Sequence, residues 1–269
     1  MRKWEGVLSP EEGEPFGVEL GEGRGPFVIV CEHASFTLPQ SMGDMGLSEE
    51  ARRSHIAWDP GALAVARRLS AGFDSPLVFQ RFSRLVYDCN RPPESPAAMP
   101  AKSEVYAVPA NENLGGEARL ARTDALYRPF HTAVSRLIDR RTAAGLPTSV
   151  LTVHSFTPVY FGVPRAVEVG ILHDADSRLA DAMLSAASAD KRYIVRRNEP
   201  YGPADGVTHS LILHGISRGI PNVMIEVRND LVADQAGQEV MAGYLSELLA
   251  QAIGSQVNNN KTFVNVRSQ

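Results

Sequence analysis

Cysteine is scarce here: Cys31 and Cys89 are the only two among 269 residues. A dense disulfide framework is excluded, and two reduced thiols in strand-like runs are the expectation, although sequence alone leaves one bridge open. No apolar run approaches the ~18–20 residues that cross a bilayer, so no membrane contact is expected. The opening Met1-Arg2-Lys3-Trp4-Glu5-Gly6 is charged but has no apolar stretch behind it. No secretory signal is therefore expected, and the expected location is cytoplasmic. Net charge is small, at −4, which gives no basis for binding nucleic acid. Also missing is an HExxH helix. Three residues beyond His33 stands Phe36, so the HxxE spacing of many zinc hydrolases is absent too. What is present, 43% hydrophobic and 22% charged residues, is ordinary globular composition.

Three apolar runs organise the chain. Phe27-Val28-Ile29-Val30-Cys31 breaks into Glu32-His33-Ala34-Ser35. Val150-Leu151-Thr152-Val153 ends in His154-Ser155, and Val223-Met224-Ile225 ends in Glu226-Val227-Arg228. Buried strands ending in polar residues are how α/β sheets present chemistry, because ligands bind beyond the carboxyl ends of the strands. If the three lie parallel, His33, His154 and Glu226 meet on one rim. Two imidazoles and a carboxylate there point to a catalytic metal ion with a general base.

The rest of the chain supports an α/β class: a mixed, mostly parallel central sheet flanked by helices. Residues 1–269 read as a single domain, with an opening segment over 1–25 and a polar tail over 255–269. An edge strand is expected near Phe16–Leu20, and a short helix capped by Ser48. Asp59-Pro60 predicts the next helix, with Asp59 as N-cap and Pro60 at the first helical position. Pro76–Phe79 reads as a strand. Arg81–Pro93 reads as an apolar strand interrupted by charge. Residues 92–116 form a long proline-rich loop. A helical pattern spans Glu117–Ala144, and Pro129 should kink or split it. Further strands are expected at Val167–Leu172 and Tyr193–Val195, with a weak alternation at His209–His214. Helices are expected at Ser177–Ala189 and Ala236–Ile253, and a short strand at Thr262–Val266.

Each polar candidate has a plainer reading beside the chemical one. His33 and His154 could cap their strands through backbone hydrogen bonds, but the repetition favours a site. Asp59 looks first like an N-cap, and its second oxygen leaves ligation open. Arg84, Asp88, Asn90 and Arg91 either form a surface ion network or recognise a carboxylate, for which arginine offers a planar fork. Glu226 and Arg228 either pair structurally or serve the site. Cys31 sits inside an apolar run and reads as a small hydrophobe, not a nucleophile. His55, His131, His173, His209 and His214 read as structural or peripheral.

Five strings together carry a resemblance: Cys31-Glu32-His33-Ala34-Ser35, Trp58-Asp59-Pro60-Gly61, Ser83-Arg84-Leu85-Val86-Tyr87-Asp88-Cys89-Asn90-Arg91-Pro92, His154-Ser155 and Ile225-Glu226-Val227-Arg228. From about Val28 to Leu249 the chain resembles the N-formylglutamate amidohydrolase family. The Ser-Arg-x-x-x-Asp-x-Asn-Arg-Pro string is the most specific part. The resemblance implies a zinc-exopeptidase-like fold in the phosphorylase/hydrolase class, shared with zinc carboxypeptidases and aspartoacylase-like deacylases. It implies a divalent metal, Zn2+ by expectation, held by His33, Asp59 and His154. It implies Glu226 as base and Arg84 as the group that polarises the carbonyl. Asn90 and Arg91 would anchor the substrate carboxylate, with Asp88 and Arg228 in the same binding set. The implied activity is removal of a formyl or other acyl group from an acidic N-acyl amino acid. The rival reading is a non-catalytic α/β protein that binds a carboxylated metabolite through Arg84, Asn90 and Arg91.

Overall fold

Strand β2 (Phe27–Cys31) is buried on both faces, which is why its five residues are apolar without alternation. Phe27, Ile29 and Cys31 point into one hydrophobic layer; Val28 and Val30 point into the other. Each such side chain withdrawn from water contributes about 1.5–3 kcal/mol. The computed structural model describes residues 6–266, with side chains described to residue 255.

Seven strands form the central sheet. They are β1 (Phe16–Glu19), β2, β3 (Leu77–Gln80), β4 (Ser149–Phe156), β5 (Val169–Leu172), β6 (Val195–Arg197) and β7 (Asn222–Arg228). Their order across the sheet is β1-β3-β2-β4-β7-β5-β6. The three central strands, β2, β4 and β7, are mutually parallel, as the sequence predicts. The antiparallel pairings are β1 with β3 and β5 with β7. The sheet is therefore mixed and mostly parallel. Helices α2 (Ala62–Phe73), α5 (Arg178–Ser188) and α6 (Gln235–Val266) cover one face, through Val65, Leu69, Met183, Leu245 and Leu248. Helix α4 (Arg128–Ala143) covers the other face, through Phe130, Val134 and Ile138. Short helices α1 (Glu49–Arg53) and α3 (Gly116–Arg122) complete the set, and the Ser48 hydroxyl caps α1 by accepting from Ala51 N–H.

Several local expectations change. Asp59 is not the N-cap of α2. Gly61 is, in a left-handed conformation (φ 80°), and a Cβ there would stand 2.5 Å from the Val232 carbonyl oxygen. The chain turns at Gly61, the helix starts at Ala62, and the Asp59 carboxylate is released from capping. Arg81–Pro93 forms no strand but a series of turns, so Cys89 lies in a turn; both cysteines are free and buried. The long helical pattern is split as expected: a π-helical turn at Thr123–Tyr127 precedes α4, with Pro129 in the first turn of α4. His209–His214 is helical rather than strand-like, with a π-helical turn at Leu211–Gly215. Residues 255–266, expected as a polar tail with a strand at Thr262–Val266, continue α6 as helix, and 267–269 lie outside the described residues. No described helix is long and apolar enough to cross a membrane.

Candidate metal centre

The carboxyl ends of β2, β4 and β7 meet the loops after them around a cavity of about 520 Å³. Three groups converge at its floor. Asp59 Oδ2 lies 2.9 Å from His154 Nδ1 and 3.2 Å from His33 Nδ1, and the two Nδ1 atoms are 3.1 Å apart. All three residues are buried. The backbone assembles them directly. The Asp59 N–H donates to the His33 carbonyl, and the Ser155 N–H, beside His154, donates to Asp59 Oδ2.

The triangle has the dimensions of a metal's donor set. Four ligands about 2.0–2.1 Å from a tetrahedral ion stand roughly 3.3 Å from one another. With each Nε2 facing a carboxylate, neutral imidazoles turn bare Nδ1 lone pairs toward the Asp59 oxygen, an arrangement that a cation satisfies. The opposite nitrogens carry carboxylates. His33 Nε2 is 2.7 Å from Asp88 Oδ1, and His154 Nε2 is 3.1 Å from Glu32 Oε2. The Glu32 contact is close but poorly aligned, and neither atom has a proper hydrogen-bond partner among the described residues. Such carboxylates fix the imidazole tautomer and raise its basicity toward a metal. The donor set thus fits a divalent ion such as Zn2+.

The electrostatics agree. Burial opposes charge throughout, yet Glu32 is held down at about 2, because His154 and, more weakly, His33 outweigh desolvation. Asp59 is lowered too, burial being overcome by both histidines. Asp88 lies well below the usual carboxylate range, burial being overcome by Arg84 and then His33. His154 is raised well above the ordinary imidazole value despite burial, because Glu32 and Asp59 flank it. The pocket favours positive charge where the donors meet.

Glu226 sits opposite His154 in the register of β4 and β7 and lines the cavity. It is 6% exposed, and its Oε2 has no hydrogen-bond partner among the described residues. Burial, with Asp59 adding to it and His154 opposing, pushes its carboxyl up to about 7.

The expected substrate-binding residues divide. Arg84 and Arg91 line the cavity. Arg84 is clamped by Asp88 Oδ2 at 2.6 Å and by Asp59 Oδ1 at 3.4 Å. Arg91 donates to two backbone carbonyls, of Asn90 and Gly206. Asp88 does not line the cavity; its oxygens are committed to His33, Arg84 and the Asn90 N–H, which places it behind the histidine. Asn90 reaches the wall, but its amide donates to the Val207 carbonyl and accepts from the Ser210 N–H, tying the 206–210 segment down. Arg228 is turned away from the cavity, toward Asp230, Glu168 and the Arg165 carbonyl, because the chain leaves β7 there and its own turn captures the guanidinium. Glu226 and Arg228 do not pair. His131 and His214 are structural: His131 bridges the Cys89 carbonyl at 2.7 Å and His214 at 2.8 Å, and burial lowers its pKa to about 4, leaving it neutral.

Glu104, Tyr160, Arg165 and Tyr201 had no expected role in the sequence, His55, expected to be structural or peripheral, lines the cavity with them, and Glu32 stood outside the expected metal set. Glu32 had a usable signal, since a carboxylate ending a fully buried strand must meet a positive partner. The others come from loops and, for Tyr160, a two-stranded hairpin, and only folding brings them to the cavity. Asp88→Asn is expected to weaken metal affinity by about 10–100-fold, the usual cost of losing such an outer partner. Competition with a chromophoric chelator measures this, and wild-type affinity in that variant would detach Asp88 from the centre.

Comparisons with known proteins agree with this architecture. The profile of the N-formylglutamate amidohydrolase family matches residues 25–233. The N-formylglutamate deformylase of Pseudomonas putida is 31% identical over 131 residues, 44% of this chain and 47% of that protein. The match thus spans about half the length of that curated relative. A crystal structure of a gene product from Agrobacterium tumefaciens is 58% identical, with a TM-score of 0.91 over 93% of this chain and 98% of that one. The N-formylglutamate amidohydrolase of Ralstonia eutropha, at 20% identity, shares the fold with a TM-score of 0.60 over 91% of this chain and 99% of its own.

Proposed function

The chain belongs to the N-formylglutamate amidohydrolase family, and from that premise we propose that it is a metal-dependent amidohydrolase. Its substrate is an acidic N-formyl amino acid, N-formylglutamate in the simplest case. The observation that carries this reading is the convergence of His33 Nδ1, His154 Nδ1 and Asp59 Oδ2, with a carboxylate behind each imidazole.

A divalent ion held there would supply Lewis-acid polarisation of the formyl carbonyl and water acidified to a pKa of about 7. The protein's own residues do the rest. Glu226, unpaired and lining the cavity, takes a proton from the attacking water and passes it to the leaving nitrogen. The water oxygen bonds to the formyl carbon, the C–N bond breaks, and formate and the free amino acid leave. Arg84, oriented by Asp88 and Asp59, donates to the carbonyl oxygen as negative charge grows on it. Arg91 holds a substrate carboxylate. Asn90 serves by fixing the wall segment beside Arg91.

The reading is tested by formate release from N-formylglutamate with metal content measured in parallel. Chelation is expected to abolish turnover and added Zn2+ to restore it. Undiminished turnover by metal-free protein would refute the metal assignment, and no turnover by fully loaded protein would refute the substrate.

A further inference from the structure

We propose that Arg165 is the residue that receives the second carboxylate of the substrate, apart from the one held by Arg91. This deepens the hydrolase reading above and rests on it. Of the three arginines lining the cavity, only Arg84 is neutralised by carboxylates. Arg91 and Arg165 have no carboxylate within salt-bridge distance among the described residues. Their charges come from separate segments: Arg91 follows the Asp88–Asn90 turn, and Arg165 follows the short hairpin of Val159–Tyr160 with Val163–Pro164. Two unneutralised guanidinium groups facing one cavity fit a ligand with two negative ends.

Arg165 is also held in place for this task. Its guanidinium carbon lies 4.5 Å from the Tyr160 ring centre, 4.8 Å from that of Tyr201 and 5.6 Å from that of Phe156. Aromatic faces orient a guanidinium while leaving its in-plane N–H donors free for an anion. Of its side-chain donors, Nη1 is given to the Thr157 carbonyl at 3.3 Å. The backbone is pinned on both sides: the Arg165 N–H donates to the Pro158 carbonyl, and Arg228 Nη1 donates to the Arg165 carbonyl. Two further acids on the wall, Glu104 and Asp205, are already engaged. Glu104 meets His55 and the Phe161 N–H, and Asp205 accepts from the Gly202 N–H.

The test compares N-formylglutamate with N-formylglutamine, which differ only in the distal charge. Wild type is expected to favour the glutamate compound through KM. In Arg165→Gln, KM for N-formylglutamate should rise about 10–100-fold, the worth of a charge-assisted contact, while the glutamine compound is little affected. Arg165→Lys should recover part of the preference, which a merely structural arginine would not require. Calorimetry with glutarate against butyrate separates the two claims. If glutarate binds better and the advantage vanishes in Arg165→Gln, the subsite stands even where no deformylation is seen. If wild type hydrolyses both formyl compounds equally and binds both acids equally, the Arg165 assignment falls while the hydrolase reading survives. Should Arg165→Gln fail to fold, Arg165→Lys carries the comparison, and a wild type blind to the distal charge refutes the assignment without any variant.

Discussion

Glu226→Gln is expected to lower kcat by about 10²–10⁴-fold, the usual worth of general acid–base catalysis, with metal content unchanged. Glutamine keeps the shape of the side chain and removes its capacity to take a proton. Strand β7 holds Glu226 opposite His154, close to the donors yet outside their triangle. Leaving a buried oxygen unpartnered, as Oε2 is, costs roughly 1–3 kcal/mol. That cost is consistent with a group kept free for reaction. Burial raises its carboxyl to about 7, so the basic form grows in as pH rises through that region. A cation beside it favours the ionised form and draws the inflection lower. The profile of kcat/KM against pH should therefore show an acid limb in wild type that disappears in Glu226→Gln. Loss of metal in this variant would recast Glu226 as a ligand. Near-normal turnover would end its role as base, and Glu32 could not inherit it, being fully buried behind His154.

Asp59→Ala is expected to abolish metal loading at concentrations that saturate wild type. The loss should exceed the ~10–100-fold that removal of an outer partner costs. Asp59 Oδ2 contacts both histidines and the Ser155 N–H. Helix α2 should persist, because Gly61, not Asp59, occupies its N-cap. Metal analysis and far-ultraviolet circular dichroism together decide the matter. Full metal loading would return Asp59 to a structural role, and a collapse of helical signal would show that it supports α2 after all.

The strands that carry His33, His154 and Glu226 were legible because burial on both faces forces uninterrupted apolar runs, and each run stops where the chain reaches the site. Asp59 shows where local pattern fails. Asp-Pro before an apolar helix is a sound N-cap signal, but Gly61 can turn where other residues cannot, and that turn moves the helix start to Ala62. Arg228 fails for a similar reason: its guanidinium is captured by Asp230 in the turn that follows β7.

The sequence by itself determined the α/β class, the three parallel strands and the placing of His33, His154 and Glu226 at their ends, whereas Asp59 entered the donor set only through the resemblance to the family. Hydrophobic periodicity is local and survives without knowledge of the fold. Only the tertiary structure decided that Glu32 and Asp88 stand behind the histidines, that Asn90 is committed to backbone, and that Arg165 joins the cavity wall. Those facts depend on contacts between segments far apart in the chain: 121 residues separate His33 from His154, and 117 separate Asn90 from Val207. Which polar groups satisfy one another across such distances is set by how the layers pack, and a polar residue's type does not record its partner.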